Sequence, residues 1–198
     1  MKIFIDGEPF NPSSPEVSGS KEQLLAEIDE EILQKGLTYT TIVVDGVEMD
    51  SSAFVRLRSG REAHIKTRQT IHLVIESLQE AMNYLPRLND GIQKLASELE
   101  HNNQENLNEH LADFAEGLGW LVNVMQKSQI FLDVKDSQLS DKVEVLSKLN
   151  KSLQNIFECL EKHRIMEIAF HMRQGILPEI KKISEFIEKL LEAAKIKK

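Results

Sequence analysis

The chain has 198 residues, a formal net charge of −8, six histidines and one cysteine, with 41% hydrophobic and 28% charged residues. That balance suits a globular chain large enough to bury a real core, and the negative charge opposes nonspecific binding to nucleic acid or anionic lipid. Cys159, standing alone, has no intramolecular disulfide partner, the start MKIFIDGEPF builds no signal-peptide core, and no apolar run approaches the ~20 residues of a membrane span; a cytoplasmic setting without membrane insertion is expected.

Residues 1–67 read as a small α+β module. KIFI (2–5) is β-prone and runs into Asp6-Gly7, which suits a tight hairpin or a strand exit. Pro12-Ser13-Ser14-Pro15 marks a loop within residues 11–20. Ser20 and Gln23 form a capping-box pattern ahead of the stripe Leu24, Leu25, Ile28, Ile32 and Leu33, and Gly36 supplies a left-handed terminator, so a helix is expected over about residues 21–35. Its outward face carries Glu27, Asp29, Glu30 and Glu31, the pattern of a solvated surface.

TTIVV (40–44), Asp45-Gly46 and VEM (47–49) then give a strand, a two-residue turn and a returning strand. Asp50-Ser51-Ser52 starts a short helical turn bearing Phe54, Val55 and Leu57, and REAHIKT (61–67) alternates as a last strand. The module is expected to hold three or four strands with one helix on one face. Between Arg56 and Arg68 five cations (Arg56, Arg58, Arg61, Lys66, Arg68) face Glu62 alone. A solvated surface is the simplest account of them, with Arg56 and Arg58 kept as candidates for an acidic partner.

Residues 68–198 carry four amphipathic segments, expected as a four-helix bundle with hairpins at about 70–128 and 139–195. The first stripe runs Ile71, Ile75, Leu78, Met82, Leu85, Leu88, Ile92, Leu95 and Leu99, in phase across Pro86, which predicts a kinked but continuous helix. Asn103 is the expected cap of the second helix, whose stripe is Leu107, Leu111, Phe114, Leu118, Leu121 and Met125. Gly117 and Gly119 flank Leu118; a glycine in a helix interior costs about 1 kcal/mol relative to alanine, so another backbone or a bulky ring is expected close by. Residues 129–139 read as a crossover strap, with Ser140 capping the third helix: Val143, Leu146, Leu149, Leu153, Ile156 and Leu160. Lys162-His163-Arg164 turns into a fourth helix from Ile165, kinked at Pro178.

The two hairpins repeat. Leu88-Asn89, Ile92-Gln93, Leu95, Leu99-Glu100, Leu107, His110-Leu111, Val122 and Met125 are answered 61 residues later by Leu149-Asn150, Leu153-Gln154, Ile156, Leu160-Glu161, Ile168, His171-Met172, Ile183 and Phe186. Such a pattern reads as a duplicated helix pair, each copy burying its stripe against the other.

Catalytic spacing is sparse. A carboxylate-bridged metal pair in a bundle wants two Glu-x-x-His motifs, and only Glu98 with His101 fits. His110 and His171 occupy matching positions, and Glu167 lies one helical turn before His171, so these three are the weak metal candidates; no cofactor is expected. Phosphate-binding glycine loops, zinc-protease motifs and nucleophile elbows are missing from the sequence. The expectation is a non-enzymatic protein-interaction module of adaptor, helper or chaperone type, with a protein partner and a possible homodimer. Its anchor is Trp120, on the side of the second helix shared by Gly117, Val124, His110 and Asp113. The rival is a metal- or small-ligand-binding bundle with its site between His110 and His171.

Overall fold

The computed structural model describes residues 1–14, 19–102 and 106–197, so the expected Asn103 cap and Pro15 of the first loop lie outside the described residues. The protein is α+β: a five-stranded sheet comes first and a mostly helical region follows. Two compact units, Met1–Leu73 and Val74–Lys198, divide the chain.

In the first unit, strands β1 (Lys2–Ile5), β2 (Glu8–Phe10), β3 (Leu37–Val44), β4 (Val47–Met49) and β5 (Glu62–Gln69) lie in the order β2-β1-β5-β3-β4. β1 and β5 are parallel and the other pairs antiparallel. The sheet thus exceeds the expected three or four strands. β2 was hidden because three residues containing Pro9 offer no alternation, and proline is tolerated there only because the strand is an edge. Both Asp-Gly pairs make two-residue hairpin turns, with φ of 50° and 88° at Asp6 and Gly7 and 48° and 85° at Asp45 and Gly46, the left-handed backbone that such turns require.

Helix α1 (Lys21–Gln34) starts at Ser20, whose Oγ accepts from the Gln23 amide at 3.4 Å, and stops at Gly36, at φ 67°. Its Leu24, Ile28 and Ile32 pack with Ile3, Ile42, Val44, Ala63, Ile65 and Phe54 into one core. The strand residues are alternate positions in register, Ile3 opposite Ala63 and Ile42 opposite Ile65, so these residues share one face of the sheet. Phe54 comes from the short helix α2 (Ser51–Arg56), capped by Asp50, whose Oδ1 accepts from the Ala53 amide at 2.7 Å. On the outward face of α1, Glu27 is not merely solvated: it accepts from the Ser13 amide at 2.8 Å and pins the loop.

Helix α3 (Thr70–Glu100) is continuous through Pro86. α4 (Leu107–Leu132) runs further than expected, taking Ile130 and Phe131 out of the strap, which shrinks to residues 133–141 with a single 3-10 turn at Asp136–Gln138. Gln129 and Lys142 hold that turn: Gln129 Nε2 donates to Val134 O and Asp136 Oδ1, both at 2.9 Å, and Lys142 Nζ reaches Gln129 Oε1 and Asp136 Oδ1 at 2.6 Å. α5 (Lys142–Glu161) is preceded by Asp141 at φ 69°, not capped by Ser140 as expected, because the left-handed residue sits one place later. The fourth segment is α6 (Ile165–His171), a π turn (Met172–Ile176) and α7 (Leu177–Lys197).

The π turn answers the proline. Pro178 has no amide for the carbonyl four residues back, and its ring crowds that carbonyl. One turn earlier the chain widens, Leu177 N–H reaching Met172 O, five residues back. The helix therefore continues past Pro178 by adding a bulge, where a simple kink was expected.

Pairs of side chains fix the helix directions in the second unit. Ser184 Oγ approaches the Met82 sulfur at 3.9 Å and Arg173 pairs with Glu100 at 2.7 Å, so α7 and the π turn run antiparallel to α3. Lys197 Nζ donates to Phe131 O at 2.9 Å, setting the end of α7 beside the end of α4.

Candidate functional site

The expected anchor lies where α3 and α4 meet. Gly117 is in a helix interior because Tyr84 of α3 occupies the space a side chain would need: a Cβ there would overlap the Tyr84 hydroxyl and stand 2.9 Å from Cζ. Tyr84, which the sequence reading did not single out, then meets Trp120 edge to face, with centroids 5.5 Å apart and planes at 89°. Arg87 lies over its ring at 5.6 Å. Gly119 has nothing within 4 Å of its Cβ position, so only one of the two glycines makes a close approach. Trp120, Tyr84 and Val124 are all half-buried. The signal for Tyr84 was available: it is the aromatic of α3 lying just off the stripe.

Beside this pair a cleft of about 280 Å³ opens along α3 and α4. Leu88, Ile92, Leu95 and Phe114 form its apolar floor, and each is buried. Arg87, Lys94, Glu98, His110 and Asp113 ring it, with both signs of charge. Gly91, the glycine of α3, also lines the cleft, and no atom lies within 4 Å of its Cβ position. The arrangement offers hydrocarbon below and polar groups at the edge, as a helix-binding groove does.

The remaining candidates are dispersed. Arg56 and Arg58 are exposed on the first unit, Arg56 donating to Ser52 O at 3.1 Å. The Glu98-x-x-His101 motif splits: Glu98 turns to Lys94 at 3.8 Å, and His101 Nδ1 contacts Ser97 O at 2.8 Å. His110 is exposed on the α3–α4 cleft, whereas His171 lines a different one, with Ser152, Phe170, Gly175 and Glu179. Glu167 and His171 do come together, and they are joined by a residue from another helix, Cys159. Burial pushes the Cys159 thiol up; Arg164 pulls against that shift and Glu167 adds to it. Cys159 is 1% exposed. Among the described residues no helix is long and apolar enough to cross a membrane.

Residues 76–193, more than half of the chain, match the model of the family described as Domain of unknown function (DUF8042). No curated protein and no solved structure matches the chain.

Proposed function

The chain belongs to the DUF8042 family, and we propose that its helical unit is a non-enzymatic protein-interaction module that receives an amphipathic helix of a protein partner in the α3–α4 cleft. The observation that carries this reading is the Tyr84–Trp120 pair. It is an aromatic pair seated on a glycine, and through Tyr84 it joins the lining of a cleft with an apolar floor and a charged rim. Aromatic residues held this way dominate binding energy at interfaces, and the groove from Tyr84 to Glu98 follows about 20 Å of helix, enough for three turns of a partner. A second copy of the chain is the other protein that could supply such a helix. A reducing, cytoplasmic setting is part of the reading.

The scaffold under that site is proposed as a four-helix bundle of two duplicated hairpins. What supports it is burial at the matched positions: Leu88 and Leu149, Leu95 and Ile156, Leu107 and Ile168, Leu111 and Met172, and Met125 and Phe186 are buried in both copies. The rival reading, a metal or small ligand between His110 and His171, has less support because the two imidazoles line separate clefts.

The test is affinity purification with the full chain, then titration of the recovered partner against native protein, Trp120→Ala and the double charge reversal of Arg56 and Arg58. Trp120→Ala should weaken binding at least ten-fold, about 1.4 kcal/mol, while the arginine variant binds as the native protein does. Equal binding by Trp120→Ala would remove the α3–α4 cleft as the site. Sedimentation over a range of concentrations decides whether the partner is a second copy.

A further inference from the structure

We propose that Cys159, Glu167 and His171 form a zinc-binding site at the turn between α5 and α6, separate from the α3–α4 cleft and independent of the function proposed for it. The turn builds the cluster. His163 takes a left-handed backbone at φ 53°, and the Arg164 amide bonds back to Cys159 O at 2.8 Å, folding α6 onto the end of α5. Glu167 and His171, four apart on α6, then share the face that meets Cys159.

The distances suit a tetrahedral ion. Zinc with sulfur at about 2.3 Å and oxygen or nitrogen at about 2.1 Å sets its ligand atoms about 3.3–3.7 Å apart. Here Cys159 Sγ and Glu167 Oε2 are 3.8 Å apart, and one ligand atom from each of the three residues lies within 4.8 Å of the others. Closing onto an ion takes a shift of order 1 Å, within reach of an exposed glutamate and a half-buried histidine acting against a buried, fixed cysteine. The donor set decides the metal: sulfur with nitrogen rejects calcium and magnesium, which want oxygen, and fits zinc or its cobalt substitute.

The surroundings fit as well. Arg164 Nη1 donates to Glu167 Oε2 at 2.8 Å, orienting the oxygen that faces Cys159 Sγ while its second lone pair stays free for an ion, and Phe170 meets the His171 ring edge-on at 5.6 Å. The π turn begins at the residue after His171, and such bulges recur at functional sites. With three protein ligands, a fourth position is left for water or for a partner's side chain. Sixty-one residues earlier stand Glu98, Asn106 and His110, a set with no sulfur and no second carboxylate, so the first hairpin serves as an internal control.

The experiment uses the reduced full chain titrated with cobalt(II) chloride, then zinc chloride in competition. One equivalent of cobalt should bind with a thiolate-to-metal charge-transfer band in the near ultraviolet, and zinc should abolish it. The band should vanish in Cys159→Ser. Affinity should fall at least ten-fold in Glu167→Gln and His171→Gln and stay unchanged in His110→Ala, with circular dichroism showing each variant folded. Absence of binding, binding without the band, or a band whose affinity is the same in Glu167→Gln and His171→Gln as in the native chain would overturn the site. Because the two histidine variants separate the clefts, failure here leaves the α3–α4 reading intact.

Discussion

Replacing Gly117 by alanine tests the packing logic of the α3–α4 contact. In an unobstructed helix the change should stabilise by about 1 kcal/mol, through helix propensity and a less flexible unfolded chain. At Gly117 the new methyl would overlap the Tyr84 hydroxyl and sit 2.9 Å from Cζ and 3.2 Å from Cε1. Tyr84 has little room to yield, being held edge-on by Trp120 and flanked by Arg87. Overpacking of this kind costs about 1–3 kcal/mol and loss of the aromatic geometry about 0.5–1.5 kcal/mol, so after the propensity gain the net is a destabilisation of about 0.5–3.5 kcal/mol. Gly119→Ala, two residues away and facing open space, should stabilise by up to about 1 kcal/mol. Adding Tyr84→Phe to Gly117→Ala removes the first overlapping atom and should recover part of the loss. Urea unfolding of the native chain, these three variants and Tyr84→Phe alone measures these differences, and the cycle of Gly117→Ala with Tyr84→Phe isolates the coupling. If Gly117→Ala stabilises as much as Gly119→Ala, Tyr84 does not fill the space assigned to it.

Three further outcomes are expected. Pro86→Ala should stabilise by about 1–3 kcal/mol, restoring a bond to the Met82 carbonyl in an otherwise regular helix, whereas Pro178→Ala should gain less because the π turn already accommodates that proline; thermal unfolding of both variants checks the order. Asp45 should give the first unit an acid-sensitive turn. The Glu62 and Arg61 amides donate to its carboxylate, at 3.0 Å to the former, and hold it below the ordinary value of 3.8. A folded value below the unfolded one means that this contribution is complete above the unfolded value and is lost as pH falls through the folded one, so Asp45→Asn should flatten the pH dependence of unfolding below about pH 4 and leave it alone at neutral pH. Gly175→Ala should destabilise because its Cβ would overlap the Ser152 side chain, and Ser152→Ala, which removes Oγ but keeps the Cβ 2.9 Å away, should recover part of the loss in a double variant followed by urea unfolding.

Local chemistry was legible in the sequence at several places where one or two residues decide the backbone, though not at Ser140. Asp6-Gly7 and Asp45-Gly46 made their turns, Ser20 and Asp50 cap their helices, and Gly36 terminates one. Each is a short-range device whose signal is its own chemistry. Features set by partners distant in sequence were not legible. β1 is placed in the sheet by its parallel pairing with β5, and Tyr84 matters because Gly117 comes opposite it. Cys159 joins Glu167 and His171 only once the turn at residues 162–164 has closed, so a search for motif spacing along one helix found two of the three. The π turn hid for a related reason: periodicity marks Pro178 as a disturbance without saying whether the helix will bend or bulge.

The most direct test of the proposed function is the affinity of Trp120→Ala for the partner recovered with the native chain, read by calorimetry once unfolding curves show the variant folded. A loss of ten-fold or more, with Arg56 and Arg58 dispensable, is the result predicted for a helix seated against the Tyr84–Trp120 pair. Undiminished affinity would place the binding surface elsewhere on the protein.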